Sequence, residues 1–215
     1  MRAVLFDFDG TLADTAPDLG GALNRMLNDR GRAAVPLEKL RPHASSGARG
    51  LLFVGFGVKP GDDGFESMRE EFLANYSTSI CVHTRLFPGV EELLDSLESK
   101  PMAWGIVTNT AVKLTTPLVD QLGLAKRARC VVGGDSPPHL KPHPASLLHA
   151  AEKIGVKPSD CCYLGDDLRD IQAAKAAGMF SIAVEYGYSG TENGGPHGWN
   201  AEAVIGQPMD LLNHL

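Results

Sequence analysis

The most regular feature of this sequence is an alternation of short apolar runs with longer stretches of helical periodicity. Most of the apolar runs are continuous rather than alternating, which is typical of parallel strands that are buried on both faces. The predicted strands cover Arg2–Phe8, Ala103–Thr108, Arg129–Val132, Asp160–Leu164 and Ser181–Val184.

The segments between these strands predict helices, because apolar residues recur in them three and four positions apart. A strand, helix, strand, helix order favours an α/β fold, a Rossmann-like parallel sheet with helices on both faces. In such sheets, ligands bind beyond the carboxyl ends of the strands. The predicted helices of this part of the chain cover Gly89–Glu98, Pro117–Leu122, Pro144–Ile154 and Leu168–Ala177.

One long stretch near the amino terminus interrupts this order and contains no convincing strand. It separates Asp14 from the turn at Phe87-Pro88-Gly89 and is far longer than an ordinary connection. We interpret it as a small helical cap inserted after the first strand, so that the α/β core comprises residues 1–14 and 86–215 and the cap residues 15–85. The predicted helices of the cap are Leu19–Leu27 and Phe65–Tyr76. Glycine-rich breaks are predicted around Ser45–Gly50 and Gly55–Gly64.

Composition excludes several classes of function. Apolar residues make up 43% of the 215 residues, which is ordinary for a globular protein. The formal net charge of −6 argues against nucleic acid as a partner, because binding to a phosphate backbone requires clustered Lys and Arg. We expect neither a targeting leader nor a membrane span, because no charged-then-apolar segment precedes the first predicted strand and no apolar run has membrane length; the four cysteines lack metal-site spacing. We therefore expect a cytoplasmic monomer or small homo-oligomer that binds neither nucleic acid nor membrane.

Two aspartates end the first predicted strand. Asp7 and Asp9 lie two positions apart, so their side chains point to one side while Phe6 and Phe8 point to the other. Gly10 then permits a sharp turn of the backbone. Two carboxylates at the end of a buried strand are costly unless a cation or a reaction requires them. The alternative interpretation is a polar turn, which Asp before Gly commonly forms.

Further polar groups follow the other predicted strands. The carboxylates of Asp7 and Asp166 suit Mg²⁺, a hard cation that prefers oxygen ligands. Lys141 and the Thr108 hydroxyl can bind phosphoryl oxygens, and backbone N–H groups around Asn109 add donors. A carboxylate can also attack phosphorus, and a second carboxyl group can transfer the proton. The set therefore indicates phosphoryl transfer, which depends mainly on positioning and charge stabilisation.

These residues belong to four short motifs, each of which follows a predicted strand or lies in a loop, and their order along the chain is informative. The motifs are Asp7-Phe8-Asp9-Gly10-Thr11, Val107-Thr108-Asn109, Lys141-Pro142 and Gly165-Asp166-Asp167 with Asp170. In this order and spacing, the chain resembles the haloacid dehalogenase-like phosphohydrolases over its whole length, including the helical cap. The resemblance implies that Asp7 is the nucleophile and that Asp9 is the general acid and base.

The same resemblance implies the remaining site residues and a cofactor. Mg²⁺ would be bound by Asp7, the Asp9 carbonyl and Asp166, with Asp167 or Asp170 as further support. The transferring phosphoryl group would be held by Thr108, Asn109 and Lys141.

Within the family, the chain resembles the phosphoglycolate-phosphatase group. Residues 104–109, 164–171 and 186–188 are especially similar to those of N-acetylmuramic acid 6-phosphate phosphatases. The expected substrate is therefore a small phosphorylated metabolite, and both of these substrates carry a carboxylate. Arg49, in a predicted loop with Gly47, can bind a carboxylate bidentately, although a solvated surface arginine is an equally good interpretation.

Three other functions compete with hydrolysis. A hexose-phosphate mutase of the same superfamily would return the phosphoryl group from the aspartyl-phosphate to a sugar. A phospho-receiver signalling domain also combines an acidic cluster with Thr and Lys, but it accepts the phosphoryl group on a middle strand and lacks the insertion. A dehalogenase is disfavoured, because that chemistry requires neither Asp9 nor a magnesium site.

Overall fold

The structure, a computed structural model, describes residues 1–100, 102–188 and 194–215. Within these ranges the strands of the main sheet are all parallel, and the amino-terminal strand lies inside the sheet rather than at its edge. The strands are β1 (Ala3–Phe6), β2 (Ala13–Asp14), β3 (Arg85–Leu86), β4 (Ala103–Val107), β5 (Val131–Val132), β6 (Cys161–Gly165), β7 (Phe180–Val184) and β8 (Ala203–Ile205). The order across the main sheet is β5-β4-β1-β6-β7-β8.

Most of the longer helices occupy intervals that the periodicity predicts, whereas the short helices Leu37–Leu40 and Gly195–Gly198 were not predicted. They are α1 (Ala16–Asp29), α2 (Leu37–Leu40), α3 (Gly47–Phe56), α4 (Phe65–Ser77), α5 (Val90–Ser99), α6 (Val112–Gln121), α7 (Ala145–Ile154), α8 (Leu168–Ala177) and α9 (Gly195–Gly198). Short 3₁₀ helices cover Arg41–Ser46, Pro158–Asp160 and Pro208–His214. None of the helices in the described ranges has the length and apolar character that a membrane span requires.

Strand β1 shows why the sheet is buried on both faces. All four of its residues are at most 1% exposed, and their side chains alternate between two separate apolar clusters. Val4 and Phe6 join the cluster that includes apolar residues of α5 and α6, whereas Ala3 and Leu5 pack with those of α7 and α8. The predicted fold class, a Rossmann-like α/β sheet covered by helices on both sides, is confirmed.

The inserted helices begin and end at a small ribbon. Strands β2 and β3 pair antiparallel, so the chain leaves the core and returns to it at neighbouring positions. Helices α1 to α4 lie between these strands in the sequence. The exact domain boundaries, residues 15 and 85, stay a prediction.

Two expectations about helices were wrong. The segment Ser45–Gly50 is not a break: a 3₁₀ helix runs through Ser46, and α3 begins at Gly47, whose φ of +57° changes the direction of the chain. Helix α6 starts five residues before Pro117, which therefore lies inside it. The buried Leu114 and Leu118 on either side of Pro117 explain this, because their packing offsets the hydrogen bond that proline removes.

Candidate active site

The candidate site lies where the central strands of the sheet end. Strand β1 pairs with β4 on one side and with β6 on the other, so the residues that follow these three strands converge. Asp7 follows β1 and its N–H donates to the Leu164 carbonyl at 2.8 Å. Thr108 follows β4, and Asp166 follows β6. The sequence prediction that these groups share one edge of the sheet therefore matches the structure.

Three carboxylates form a compact cluster at this edge. Oxygen atoms of Asp7, Asp166 and Asp170 lie within 4.8 Å of one another, and the three residues are 7%, 1% and 1% exposed. Buried, closely spaced carboxylate oxygens are the ligands that a hard divalent cation such as Mg²⁺ prefers. The donor set therefore fits the predicted magnesium ion.

Lys141 places a positive charge against two members of this cluster. Its Nζ lies 2.8 Å from Asp7 Oδ1 and 2.7 Å from Asp170 Oδ1, and its side chain is 3% exposed. It also donates to the Tyr163 hydroxyl at 2.7 Å. Burial alone would lower the pKa of Lys141, but the two carboxylates outweigh this effect and raise it. The pairing with Asp7 and Asp170 therefore favours the charged form of Lys141 inside the site.

One lysine does not neutralise the whole cluster. Burial raises the pKa of Asp166 well above its usual range, and the charges of Asp7 and Asp170 raise it further. Burial also raises the pKa of Asp7 in spite of Lys141. The pKa of Asp170 is raised to about 7, again first by burial and then by Asp7. An additional cation would stabilise the ionised form of all three carboxylates, since opposite charge nearby favours ionisation.

The Asp9 carboxylate is held separately, by threonine hydroxyls. Its Oδ1 accepts from Thr15 Oγ1 at 2.7 Å, and its Oδ2 accepts from Thr110 Oγ1 at 2.8 Å and from Thr108 Oγ1 at 3.3 Å. Asp9 is half-buried and lines the same cavity as Asp7. The two aspartates of the first motif therefore have different environments: one faces a lysine, the other faces neutral donors.

Asn109 and Tyr163 fix the position of Lys141. The Asn109 side chain accepts from the Lys141 backbone N–H at 2.9 Å and donates to the Lys141 carbonyl at 3.2 Å. Tyr163 accepts from Lys141 Nζ and donates its own hydroxyl proton to the Val107 carbonyl at 2.8 Å. Sequence reasoning missed Tyr163, because a tyrosine inside an apolar strand carries no signal of its own.

Of the two aspartates predicted as further support, only Asp170 belongs to the carboxylate cluster in the described residues. Asp167 is the N-cap of α8: its Oδ1 accepts from the Arg169 N–H at 2.9 Å, and both its oxygens pair with the Arg169 guanidinium. Burial would raise the pKa of Asp167, but the hydrogen bonds and charge of Arg169 outweigh burial and lower it. Asp170 also closes the capping box by accepting from the Asp167 N–H at 3.1 Å.

Donors from three distant parts of the chain surround Asp166. Its Oδ2 accepts from Ser45 Oγ and from the Tyr188 N–H, each at 2.9 Å, and its Oδ1 accepts from Thr11 Oγ1 at 3.3 Å. Gly10 permits this crowding, because a Cβ there would lie 2.1 Å from Asp166 Oδ2 and its φ is +87°. Sequence reasoning had identified the turn at Gly10 but not the roles of Ser45 and Thr11.

A cavity of about 1180 Å³ opens above these groups and is lined by both the core and the inserted helices. Gly47 and Arg49, the two residues predicted to recognise the substrate, both line it. Arg49 is exposed and forms no ion pair with any residue that the structure describes. Tyr76 of α4 also lines the cavity; it is 2% exposed, and within the described ranges its hydroxyl has no hydrogen-bond partner.

Comparisons with known proteins give a consistent result. A family model described as haloacid dehalogenase-like hydrolase matches residues 4–184. The chain is 41% identical to an N-acetylmuramic acid 6-phosphate phosphatase of Pseudomonas putida, over 98% of the chain and 94% of the relative. It is 43% identical to a phosphoglycolate phosphatase of Xanthomonas campestris pv. campestris, with the same coverage. The crystal structure of a predicted phosphoglycolate phosphatase from Haemophilus somnus superposes with a TM-score of 0.86 at 26% identity, covering 100% of this chain and 97% of that one.

Proposed function

We propose, from the premise that this chain belongs to the haloacid dehalogenase-like hydrolase family, that it is a magnesium-dependent phosphatase acting through an aspartyl-phosphate. The family resemblance and the enzyme class, a phosphoric monoester hydrolase, are confirmed by the family match and by relatives that are named phosphatases. The observation that carries the finer proposal is the buried cluster of Asp7, Asp166 and Asp170 with Lys141 against it.

Asp7 and Asp9 divide the chemistry between them. Asp7 lines the cavity and would attack the phosphorus atom, while the Lys141 charge offsets part of the negative charge on the phosphoryl oxygens. Asp9, whose carboxylate accepts from three threonine hydroxyls, would protonate the leaving oxygen and then remove a proton from the attacking water. Hydrolysis of the aspartyl-phosphate would release inorganic phosphate and restore Asp7.

The magnesium ion would be held by Asp7 and Asp166, with Asp170 close by and the Asp9 carbonyl as the ligand that the family resemblance adds. When bound, the ion supplies positive charge that stabilises the negative charge of the phosphoryl oxygens in the transition state. Thr108 and Asn109 would orient the phosphoryl group, the former by its hydroxyl and the latter by fixing the Lys141 backbone.

The cavity supports a choice between two substrate classes. Ligand cavities commonly have volumes of about 300–1,000 Å³, and the volume of about 1180 Å³ lies above that range. A two-carbon ester such as phosphoglycolate would leave most of this space to water, whereas a carboxylated sugar phosphate would contact both the core and the inserted helices. The size of the cavity therefore supports N-acetylmuramic acid 6-phosphate as a second candidate substrate, in addition to phosphoglycolate. Arg49 faces the same cavity and would bind the carboxylate that both share.

The chemistry is tested by replacing the nucleophile and by removing the metal. In Asp7→Asn, phosphate release should fall below detection while the circular dichroism spectrum stays unchanged, because an amide is a poor nucleophile toward phosphorus. Chelation with EDTA should silence the wild-type enzyme, and added Mg²⁺ should restore it. The matched control is Asp29→Asn, an exposed aspartate at the end of α1 that does not line the cavity.

The results separate the competing functions. Near-wild-type turnover in Asp7→Asn would exclude Asp7 as nucleophile, and turnover in EDTA would exclude the metal site. Isomerisation of a hexose phosphate without net release of inorganic phosphate, dependent on a sugar bisphosphate activator, would indicate a mutase. A long-lived phosphorylated protein without turnover would indicate a receiver. A ranking of kcat/KM over phosphoglycolate, N-acetylmuramate 6-phosphate and hexose phosphates identifies the substrate class.

A further inference from the structure

The 3₁₀ helix Arg41–Ser46, the docking turn, is a segment of the inserted helices that contacts the proposed metal site directly. Near its end, Ser45 Oγ donates to Asp166 Oδ2 at 2.9 Å. The Ser45 carbonyl accepts from Arg169 of α8 at 2.8 Å. A single residue of the insertion therefore touches both the carboxylate at the end of β6 and the helix that follows it.

Arg169 is held rigidly for this contact. Its Nε and one terminal nitrogen pair with the two oxygens of Asp167 at 2.7 and 2.8 Å. The same terminal nitrogen reaches Ser45, and the charge and hydrogen bonds of Asp167 raise the pKa of Arg169. The planar guanidinium cannot rotate toward Ser45 or away from it without losing its bidentate pair.

The other end of the docking turn is also anchored near Asp166. Arg41 pairs with both oxygens of Asp14 at 2.8 and 2.9 Å, and its guanidinium lies over the Tyr188 ring. The Tyr188 hydroxyl donates to Asp14 Oδ1 at 2.9 Å, and the Tyr188 backbone N–H donates to Asp166 Oδ2. The docking turn thus reaches the same carboxylate oxygen twice, directly through Ser45 at one end and through Tyr188 from Arg41 at the other.

We propose that Ser45 is a positioning residue for Asp166 and that, with Arg169, it couples docking of the insertion to binding of Mg²⁺. The proposal rests on the proposed magnesium site. Ser45 and Tyr188 hold Oδ2, whereas Oδ1, among the residues that the structure describes, has only the longer contact with Thr11 and would be the oxygen available to a cation. If docking orients this carboxylate, metal binding must stabilise docking by the same factor, because coupling between two equilibria is reciprocal.

The first test measures Mg²⁺ affinity by calorimetry on the full chain without substrate. The variant Ser45→Ala should weaken binding by about 10-fold, as expected for loss of one hydrogen bond to a charged group. The matched control Ser46→Ala removes the neighbouring hydroxyl, which makes no hydrogen bond to any residue that the structure describes, and should bind Mg²⁺ within about 2-fold of wild type.

The second test follows the docking turn itself by hydrogen exchange. In the wild type, Mg²⁺ should slow exchange of the amides of residues 41–46. The variant Arg169→Lys keeps the positive charge beside Asp167 but lacks the second nitrogen that reaches Ser45, so Mg²⁺ should no longer protect these amides.

Each failure has its own meaning. If the wild-type chain does not bind Mg²⁺, both the proposed function and this coupling are overturned. If it binds Mg²⁺ and Ser45→Ala binds as tightly as Ser46→Ala, only the role of Ser45 is overturned. If Mg²⁺ leaves exchange of residues 41–46 unchanged in the wild type, the coupling is overturned while the metal site stands.

Discussion

Replacing Lys141 with methionine is the sharpest perturbation that the site offers. Met is close to Lys in length and removes only the ammonium group, which contacts Asp7, Asp170, Tyr163 and the Val107 carbonyl. The lysine side chain is 3% exposed, and those of Asp7 and Asp170 are 11% and 2% exposed. The low exposure limits how well solvent can compensate for the missing charge.

The expected loss of stability depends on whether the aspartates stay ionised. Removing one partner of a buried ion pair costs about 3–5 kcal/mol when the other charge remains. Protonation of the aspartates avoids that cost and leaves only the lost hydrogen bonds, about 1–2 kcal/mol. The free energy of unfolding of Lys141→Met should therefore differ from the wild-type value by an amount that depends on pH.

The direction of this dependence follows from the pKa values. Asp170 has a folded-state pKa of about 7 against an ordinary value of 3.8, so the folded state keeps a proton that the unfolded state has released. Stability is therefore lost as pH rises through the folded pKa. Lys141 lowers the pKa of Asp170 and of Asp7, so without it both values rise and the loss continues to higher pH. Lys141 itself, with a pKa raised from 10.5, contributes fully throughout this range.

The assay is urea unfolding followed by circular dichroism in EDTA, at about pH 5 and about pH 8. Lys141→Met should lose about 1–2 kcal/mol at the lower pH and about 3–5 kcal/mol at the higher. The control Lys126→Met removes an exposed lysine in a turn and should change stability by less than about 0.5 kcal/mol. Equal losses at the two pH values, or a loss at high pH no larger than that of the control, would show that Lys141 does not offset ionised aspartates in the folded state.

Two further predictions concern the cavity. Tyr76→Phe should increase the free energy of unfolding by about 1 kcal/mol and Tm by about 2–4 °C, because it removes a buried hydroxyl that has no hydrogen-bond partner among the described residues. Differential scanning calorimetry measures Tm, and a lower Tm in the variant would contradict the prediction. Arg49→Ala should raise KM for N-acetylmuramate 6-phosphate about 10-fold, because Arg49 would bind its carboxylate. KM should stay nearly unchanged for two substrates without a carboxylate, p-nitrophenyl phosphate and N-acetylglucosamine 6-phosphate. Steady-state phosphate release measures both, and equal effects on all three substrates would show that Arg49 is a bystander.

The edge of the sheet that carries the candidate site was predictable because it depends on local patterns. Continuous apolar runs identified β1, β4 and β6, and the first polar residues after each run had to meet at one edge once the sheet was parallel. Asp7, Thr108 and Asp166 follow from this rule without any tertiary information. The same rule placed Asp170 one helical turn after Asp166, but it could not distinguish Asp170 from Asp167, whose side chain caps α8 instead.

The insertion was predictable in kind but not in its contacts. Glycines in Ser45–Gly50 indicated a break, since glycine has low helix propensity, yet burial of Leu51 and Leu52 outweighs that propensity and α3 forms. How α3 and the docking turn meet the core depends on packing between segments more than a hundred residues apart in the sequence. No periodicity carries that information.

Asp166 illustrates the difference between finding a residue and explaining how it works. Its position after β6 predicts a carboxylate at the site, but a carboxylate at this position is 1% exposed and its pKa is raised by burial and by two neighbouring acids. Donors to one oxygen would orient this carboxylate toward a cation. Those donors come from Ser45 in the insertion and from Tyr188 after β7. The proposed metal site would therefore be a property of the assembled core and insertion together, which is why mutation of Ser45 should weaken binding of an ion that this residue would not itself ligate.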